Sequence, residues 1–298
     1  MRLTQVRDFV MVVESGSIGA AARQLGVSQP GITKSIRMLE TELHVKLLQR
    51  TTRGVVPTAY GRAFFARAQI AQAELRKAHQ DIRHLQGERL GSVAFGVGPL
   101  VASLLVPEAV GRFRRQFPQA ELRVLEGLSH TLVPLVQSEA LDFAVVVRLP
   151  RIRLGAAIAF RPLFINHRVV VARKGHPLAH ARSLAQLVDA PWVSFEPRAV
   201  LEHSFSAAGL RPPASIVLCE SYNAFVAMVA RTDMLAIVPQ PILGESFDGD
   251  QLQQIPVGDE IPSFTVGIFT RADTALTPAA AAMAKAITAA GRAHASSR

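Results

Sequence analysis

In the stretch "SQPGITKSIR", residues 28–37, Ser28, Gln29, Pro30, Thr33, Lys34 and Arg37 bring two kinds of chemistry together. Hydroxyl and amide side chains exchange hydrogen bonds with base edges, while ammonium and guanidinium groups hold phosphate oxygens. A second group follows at Arg50, Thr51 and Arg53, and Ser17 stands upstream as a further hydroxyl at a helix start. Reactive chemistry has no comparable carrier. There is no Gly-x-Ser-x-Gly elbow, Walker lysine loop or dinucleotide glycine fingerprint, and spacing sets no pair of acids apart, so no catalytic residue is assigned. His176 and His180 are four apart, but no acid or third ligand lies near them in sequence, and no metal site is expected. The single Cys219 excludes an internal disulfide or thiolate cluster and is expected to be a buried structural thiol.

Such side chains need rigid elements to aim them. Val6, Phe9, Val10 and Val13 give a first helix its apolar stripe. Ser17 suits the N-cap of a second, whose Ala20, Ala21 and Ala22 permit close approach and whose Leu25 precedes a positive-φ corner at Gly26. Ser28 then caps a third helix and Pro30 fits its first turn. Ile32, Ile36, Leu39 and Leu43 point inward, which leaves Gln29, Thr33, Lys34 and Arg37 on the outer face. Two short helices joined by a glycine-containing turn, with cations near the start of the second, form a helix-turn-helix. Residues 46–56 read as a small β-hairpin, a wing with Arg50 and Arg53 near its tip.

Residues 58–87 contain no proline and predict one long helix. Along it Phe64, Ala68, Ala71, Leu75, Ala78, Ile82 and Leu85 alternate steps of four and three, the seam of a coiled-coil partner helix. A second copy of the chain is the expected occupant of that seam.

A chain of 298 residues, 49% hydrophobic and 19% charged, has material for about two packed domains and is not a disordered polymer. Its net charge of +10 is unevenly placed: residues 1–90 carry 14 Lys and Arg against 7 acids, the remainder 19 against 16. A basic excess gathered on the first third is the electrostatic footprint of a polyanion-binding module. No long uncharged apolar run appears, so neither a membrane span nor a signal peptide is expected, and a cytoplasmic location is.

Beyond residue 90, short apolar runs at 92–98, 121–127 and 141–147 alternate with helical stretches near 103–117 and 130–139, the pattern of a parallel sheet flanked by helices. Further strand candidates at 167–173, 191–197, 214–221, 234–240 and 263–270 supply a second α/β lobe. Ligands of such folds sit outside the carboxyl ends of strands. The candidates there are the Gly98-Pro99-Leu100-Val101 turn, Ser129 as a helix cap, Arg148, Arg198 and Tyr222. A helix N-terminus and two arginines favour a small anion such as a carboxylate.

The motifs "SIGAAARQLGVSQPGITKSIRMLETEL" and "LLQRTTRGVVPTAYG" resemble the N-terminal module of the LysR-type transcriptional regulators. The resemblance implies a winged helix-turn-helix over 1–58, mainly α, a linker and dimerisation helix over 59–88, and an effector-binding domain over 89–298. That last domain resembles periplasmic solute-binding proteins, with lobe I at about 91–161 and 267–298 and lobe II at about 162–266. It further implies a sequence-specific regulator of double-stranded DNA that forms dimers or tetramers, responds to a small-molecule inducer between the lobes, uses no other cofactor, and has RNA polymerase as a partner. Two positions depart from the family pattern: Leu47-Leu48 stands where Leu-Phe is usual, and Gly98 where a hydroxyl-bearing residue is common. The competing reading is a solute-binding or enzymatic α/β protein whose basic N-terminal helices serve only dimerisation.

Overall fold

A computed structural model describes residues 1–51, 54–86, 91–149, 155–241 and 251–296. Two compact units emerge, residues 1–88 with 138–140 and residues 89–137 with 141–298. In the first, α1 (Leu3–Ser15), α2 (Ile18–Leu25) and α3 (Gln29–Leu43) precede the hairpin β1 (Leu48–Thr51) and β2 (Gly54–Pro57), and α4 (Ala59–Leu85) follows. The caps are those the sequence predicts. The Ser17 hydroxyl accepts from the Ala20 amide at 3.4 Å, that of Ser28 from Gly31 at 3.2 Å, and Gly26 turns the corner at φ 66°.

Val6, Phe9, Val10, Ala21, Ala22, Ile32, Ile36 and Leu39 form one buried cluster with Leu47 and Ala68. Each large apolar side chain so buried contributes about 1.5–3 kcal/mol. Two polar devices tie the wing to this core. The Val55 amide donates to the Gly16 carbonyl at 2.9 Å, an approach so close that a Cβ on Gly54 would lie 2.5 Å from that oxygen; Gly54 also holds φ +130°. Glu40, on the buried side of α3, accepts from the backbone amides of Leu47 at 2.9 Å and Leu48 at 3.2 Å, and from Lys46 Nζ at 2.7 Å.

In the second unit a five-stranded sheet has the order β4-β3-β5-β12-β6, built from β3 (Ser92–Val97), β4 (Glu121–Glu126), β5 (Phe143–Arg148), β6 (Ile158–Asn166) and β12 (Phe264–Arg271). After β3 come α5 (Pro99–Leu104) and α6 (Val106–Gln116). Phe113 of α6 and Met283 and Ile287 of α10 (Pro278–Ser296) cover one sheet face through Phe95, Phe143 and Ile268. The other face is covered by Leu132, Val133 and Val136 of α7 (Ser129–Gln137).

The second lobe sets β7 (Arg168–Arg173) between β10 (Ala236–Pro239) and β11 (Leu252–Ile255), all antiparallel. Beside them lies the parallel pair β8 (Trp192–Ser194) and β9 (Ile216–Leu218). Helices α8 (Arg198–Ala207) and α9 (Tyr222–Arg231) complete it.

Three expectations need correction. The first sheet is mixed rather than parallel, because β12 runs antiparallel to both β5 and β6. The chain leaves the first lobe at Asn166–His167, not near Pro162, since β6 continues through the proline. A bulge opposite Val266 and Gly267, on a strand at the sheet edge, accommodates a residue that has no N–H to donate. Cys219 is half-buried rather than buried, and its thiol donates to the Ser221 carbonyl at 3.4 Å.

Burial raises the Glu40 pKa, but the bonds from Lys46, Leu48 and Leu47 outweigh that effect and hold it below the ordinary carboxylate value. A lowered folded-state value means that Glu40 stabilises fully above the unfolded carboxyl pKa and loses that contribution as pH falls through the folded one. Replacing it, Glu40→Ala, is expected to cost about 1–3 kcal/mol at neutral pH. In denaturant titrations the gap to wild type should narrow below about pH 4. A gap independent of pH would contradict the assignment.

Candidate nucleic-acid interface and ligand cleft

The burial of Ile32, Ile36 and Leu39 dictates what α3 shows outward. Gln29, Pro30, Lys34 and Arg37 are exposed, Thr33 is half-buried, and together with Met38, Thr41 and Glu42 they border one open surface. It begins at the helix N-terminus, where the helix dipole favours a phosphate. The hydroxyls are already engaged: those of Ser17 and Ser28 in their caps, that of Thr33 in a bond to the Gln29 carbonyl at 3.0 Å. Ser17 and Ser28 therefore position the helices, and the side chains left pointing outward are Gln29, Lys34 and Arg37. Arg50 is exposed on β1, Thr51 donates to the Gly54 carbonyl at 3.3 Å, and Arg53 lies outside the described residues. Met38, 45% exposed, went unnoticed in the sequence although it continues the row Pro30, Lys34 at helical spacing.

The predicted seam of α4 divides in two. Phe64 packs edge-on to Phe9, ring centroids 5.3 Å apart, and Ala68 is buried in the same core, so these two serve their own domain. Further on, Ala71 and Ala78 are exposed, as are Leu75 at 49%, Ile82 at 55% and Leu85 at 85%. An exposed apolar stripe on one helix is the form of a surface awaiting a partner.

Between the two lobes lies a cleft of about 80 Å³. Gly98, Pro99, Leu100, Val101, Ser129 and Tyr222 all border it, as predicted from the strand ends. Ser129 does not cap α7. It is the first residue of that helix and its hydroxyl donates across to the Val147 carbonyl, joining the wall at α7 to the wall at β5. The two predicted arginines do not border the cavity. Arg148 stacks over the Phe160 ring at 5.1 Å instead. Arg198 is exposed and pairs with Glu202 one helical turn on, at 2.7 Å.

The buried cation of the region is Arg168. It donates to Glu196 at 3.0 Å and to the Ser204 hydroxyl at 3.3 Å, and lies 4.7 Å over the Phe264 ring. Burial pushes the Glu196 carboxyl upward in pKa and the charge of Arg168 opposes it. Burial, reinforced by the charge of Glu126, pushes the Tyr222 phenol up to about 12, so it keeps its proton. Asn166 also borders the cleft, 4% exposed, with its Oδ1 buried and unpartnered. Sequence reasoning missed Asn166 because β6 was not recognised, and Arg168, inside the strand candidate at 167–173, because only the folded chain brings Glu196, Ser204 and Phe264 to it. Elsewhere His176 is held by its own fold, between the Leu178 amide at 3.0 Å and the Asp233 carbonyl at 3.1 Å. No trio of His, Cys, Asp or Glu among the described residues is placed to hold a metal.

Comparison with known proteins agrees with this layout. Residues 3–62 match the family described as bacterial regulatory helix-turn-helix protein, lysR family, and residues 86–292 match the LysR substrate binding domain. The HTH-type transcriptional regulator GalR of Pseudomonas putida is 30% identical over 284 residues, covering 94% of this chain and 71% of that protein. The SDS degradation transcriptional activation protein of a Pseudomonas species is 29% identical over 288 residues, 94% of both chains. Among solved structures, a full-length cysteine-to-aspartate variant of OxyR from Pseudomonas aeruginosa superposes with a TM-score of 0.71 at 24% identity, covering 98% of this chain and 95% of that one. CbnR, a LysR family transcriptional regulator, gives 0.68 at 20% identity, with 98% and 99% covered. The chain thus belongs to the LysR family of bacterial transcriptional regulators, with a helix-turn-helix DNA-binding domain followed by an effector-binding domain, and its relatives are regulators rather than enzymes.

Proposed function

We propose that α3 enters the major groove of double-stranded DNA and that α4 pairs with its copy in a second chain. One observation carries the reading: α3 buries Ile32, Ile36 and Leu39 while presenting Gln29, Pro30, Lys34 and Arg37 on one exposed face from its first turn. Gln29 and Pro30 approach base edges, Met38 meets thymine methyls, and Lys34, Arg37, Arg50 and Arg53 hold phosphates. CbnR has been crystallised with its target DNA, and this chain matches that structure with a TM-score of 0.67, which lends the docking a precedent. Ala71, Leu75, Ala78, Ile82 and Leu85 form the dimer seam, and two such modules favour a near-palindromic site. The cleft holds a small-molecule effector, bordered by the Gly98–Val101 turn, Ser129 and Tyr222; its occupancy biases the geometry of the dimer or tetramer. RNA polymerase is the further partner, and the cytoplasm the place of action.

Gln29→Ala is expected to flatten discrimination among operator variants by about 1–3 kcal/mol per affected base pair. Arg50→Ala should instead weaken all sequences and lower the salt slope by about one unit. Fluorescence anisotropy against specific and random duplexes separates the two, and identical profiles for both variants would refute the division of labour. For assembly, Leu75→Asp should yield a monomer by sedimentation that no longer binds the operator, with the effector-binding domain still folded. A variant that stays dimeric by sedimentation would exclude α4 pairing.

A further inference from the structure

Which ligand suits the cleft can be read from the polar atoms that border it. Its walls are otherwise apolar, built from Leu100, Val146, Phe195, Phe225 and Ile237. Among the described residues bordering it there is no Lys, Arg or His. What the walls do offer is acceptors, beside the phenol of Tyr222, a donor that keeps its proton. Asn166 Oδ1 is buried with no partner, an omission that in a folded interior carries the desolvation cost of the group. Glu196 gives one carboxylate oxygen, Oε2, to Arg168 at 3.0 Å, and its other oxygen has no partner among the described residues. The Arg168–Glu196 pair is neutral as a whole and is sealed behind the wall by Phe264 and Ser204. A ligand cation would meet no uncompensated charge there, and a ligand carboxylate would meet two acceptors and no cation to pair with.

We infer that the effector is a compact uncharged molecule with an apolar, ring-sized body and a hydroxyl that donates to Asn166 Oδ1, and that it is not a carboxylate. This rests on the reading of the cleft as the effector site. The α7 N-terminus adds only a partial positive charge, about half an elementary charge. The carboxylate of Glu126, near enough to Tyr222 to raise its pKa, opposes it. The cleft must part to admit a ring, and parting uncovers Asn166 Oδ1. That residue closes β6 just where the chain passes into the second lobe, so the hydrogen bond forms at the crossover itself. Ligand binding and the angle between the lobes are thereby linked through one side chain.

The test uses the full-length protein and two pairs of probes with matched rings: phenol with benzoate, and cyclohexanol with cyclohexanecarboxylate. Calorimetry should show each hydroxyl probe binding at least about tenfold more tightly than its carboxylate counterpart. Asn166→Leu replaces an unpaired acceptor by a side chain of similar size, so the unliganded variant should unfold at or above the wild-type temperature. It should nevertheless bind the hydroxyl probes about tenfold more weakly. Leu100→Trp, which fills the cleft, serves as the locator. Tighter binding of the carboxylates, abolished by Leu100→Trp, would overturn the ligand class and leave the cleft as the effector site. Hydroxyl binding that ignores Leu100→Trp would remove the cleft reading itself. Failure of both hydroxyl probes to bind at millimolar concentration, or unchanged affinity in Asn166→Leu, would also overturn the assignment.

Discussion

The packing of α3 against α1 is the contact on which the DNA-binding unit depends. A helix has one azimuth once its apolar stripe is buried, and Ile32 and Leu39, fully buried against Phe9 and Val10, fix that azimuth. Everything exposed on α3 follows from it: Gln29, Lys34 and Arg37 look outward because they lie off the i, i+4, i+7 stripe of Ile32, Ile36 and Leu39. The neighbouring elements then hold this helix in place rather than add to its surface. Ser28 satisfies its first amides, Glu40 fastens its far end to the wing, and the Gly16 carbonyl receives the wing's Val55 amide. A change of one residue in register along α3 would rotate the outer face by about 100° and undo all three.

The effector domain works by a different constraint. Its lobes are joined by crossing strands, and charge is buried close to where they cross. Arg168, first residue of β7, is held by Glu196 and Ser204 of the second lobe and by the ring of Phe264, which opens β12. A guanidinium in such a place is tolerated only with its charge matched and its flat face covered. The same packing leaves Asn166 Oδ1 without a partner one residue away from the crossing. Satisfaction of one group and deprivation of the other make the crossover a spot where a bound molecule can change the balance between lobe arrangements.

Much of this was legible in the sequence, for reasons that differ by region. The three helices, their caps at Ser17 and Ser28 and the corner at Gly26 could be read because each is dictated within a few residues. The cleft's Gly98–Val101 turn and Tyr222 could be read because ligand sites follow strand ends. The arginines could not. Whether Arg148 faces the cleft depends on Phe160 from another strand, and Arg198 is claimed by Glu202, four residues ahead. Strand β6 was hidden by Pro162, since only the bulge at its partner strand makes the proline acceptable. The seam of α4 shows the same limit: heptad spacing marks Phe64 and Ala68 like the rest, yet Phe9 claims Phe64 for its own core.

The most direct test of the account is a photocrosslinking map of the full-length protein on DNA selected by its binding, with the photoreactive side chain placed at Gln29 in one preparation and at Glu14 of α1 in another. The outer face of α3 predicts that the Gln29 probe crosslinks to bases in two clusters about one helical turn, roughly 34 Å, apart, while the Glu14 probe does not. Crosslinks from Glu14 to bases with none from Gln29 would contradict it.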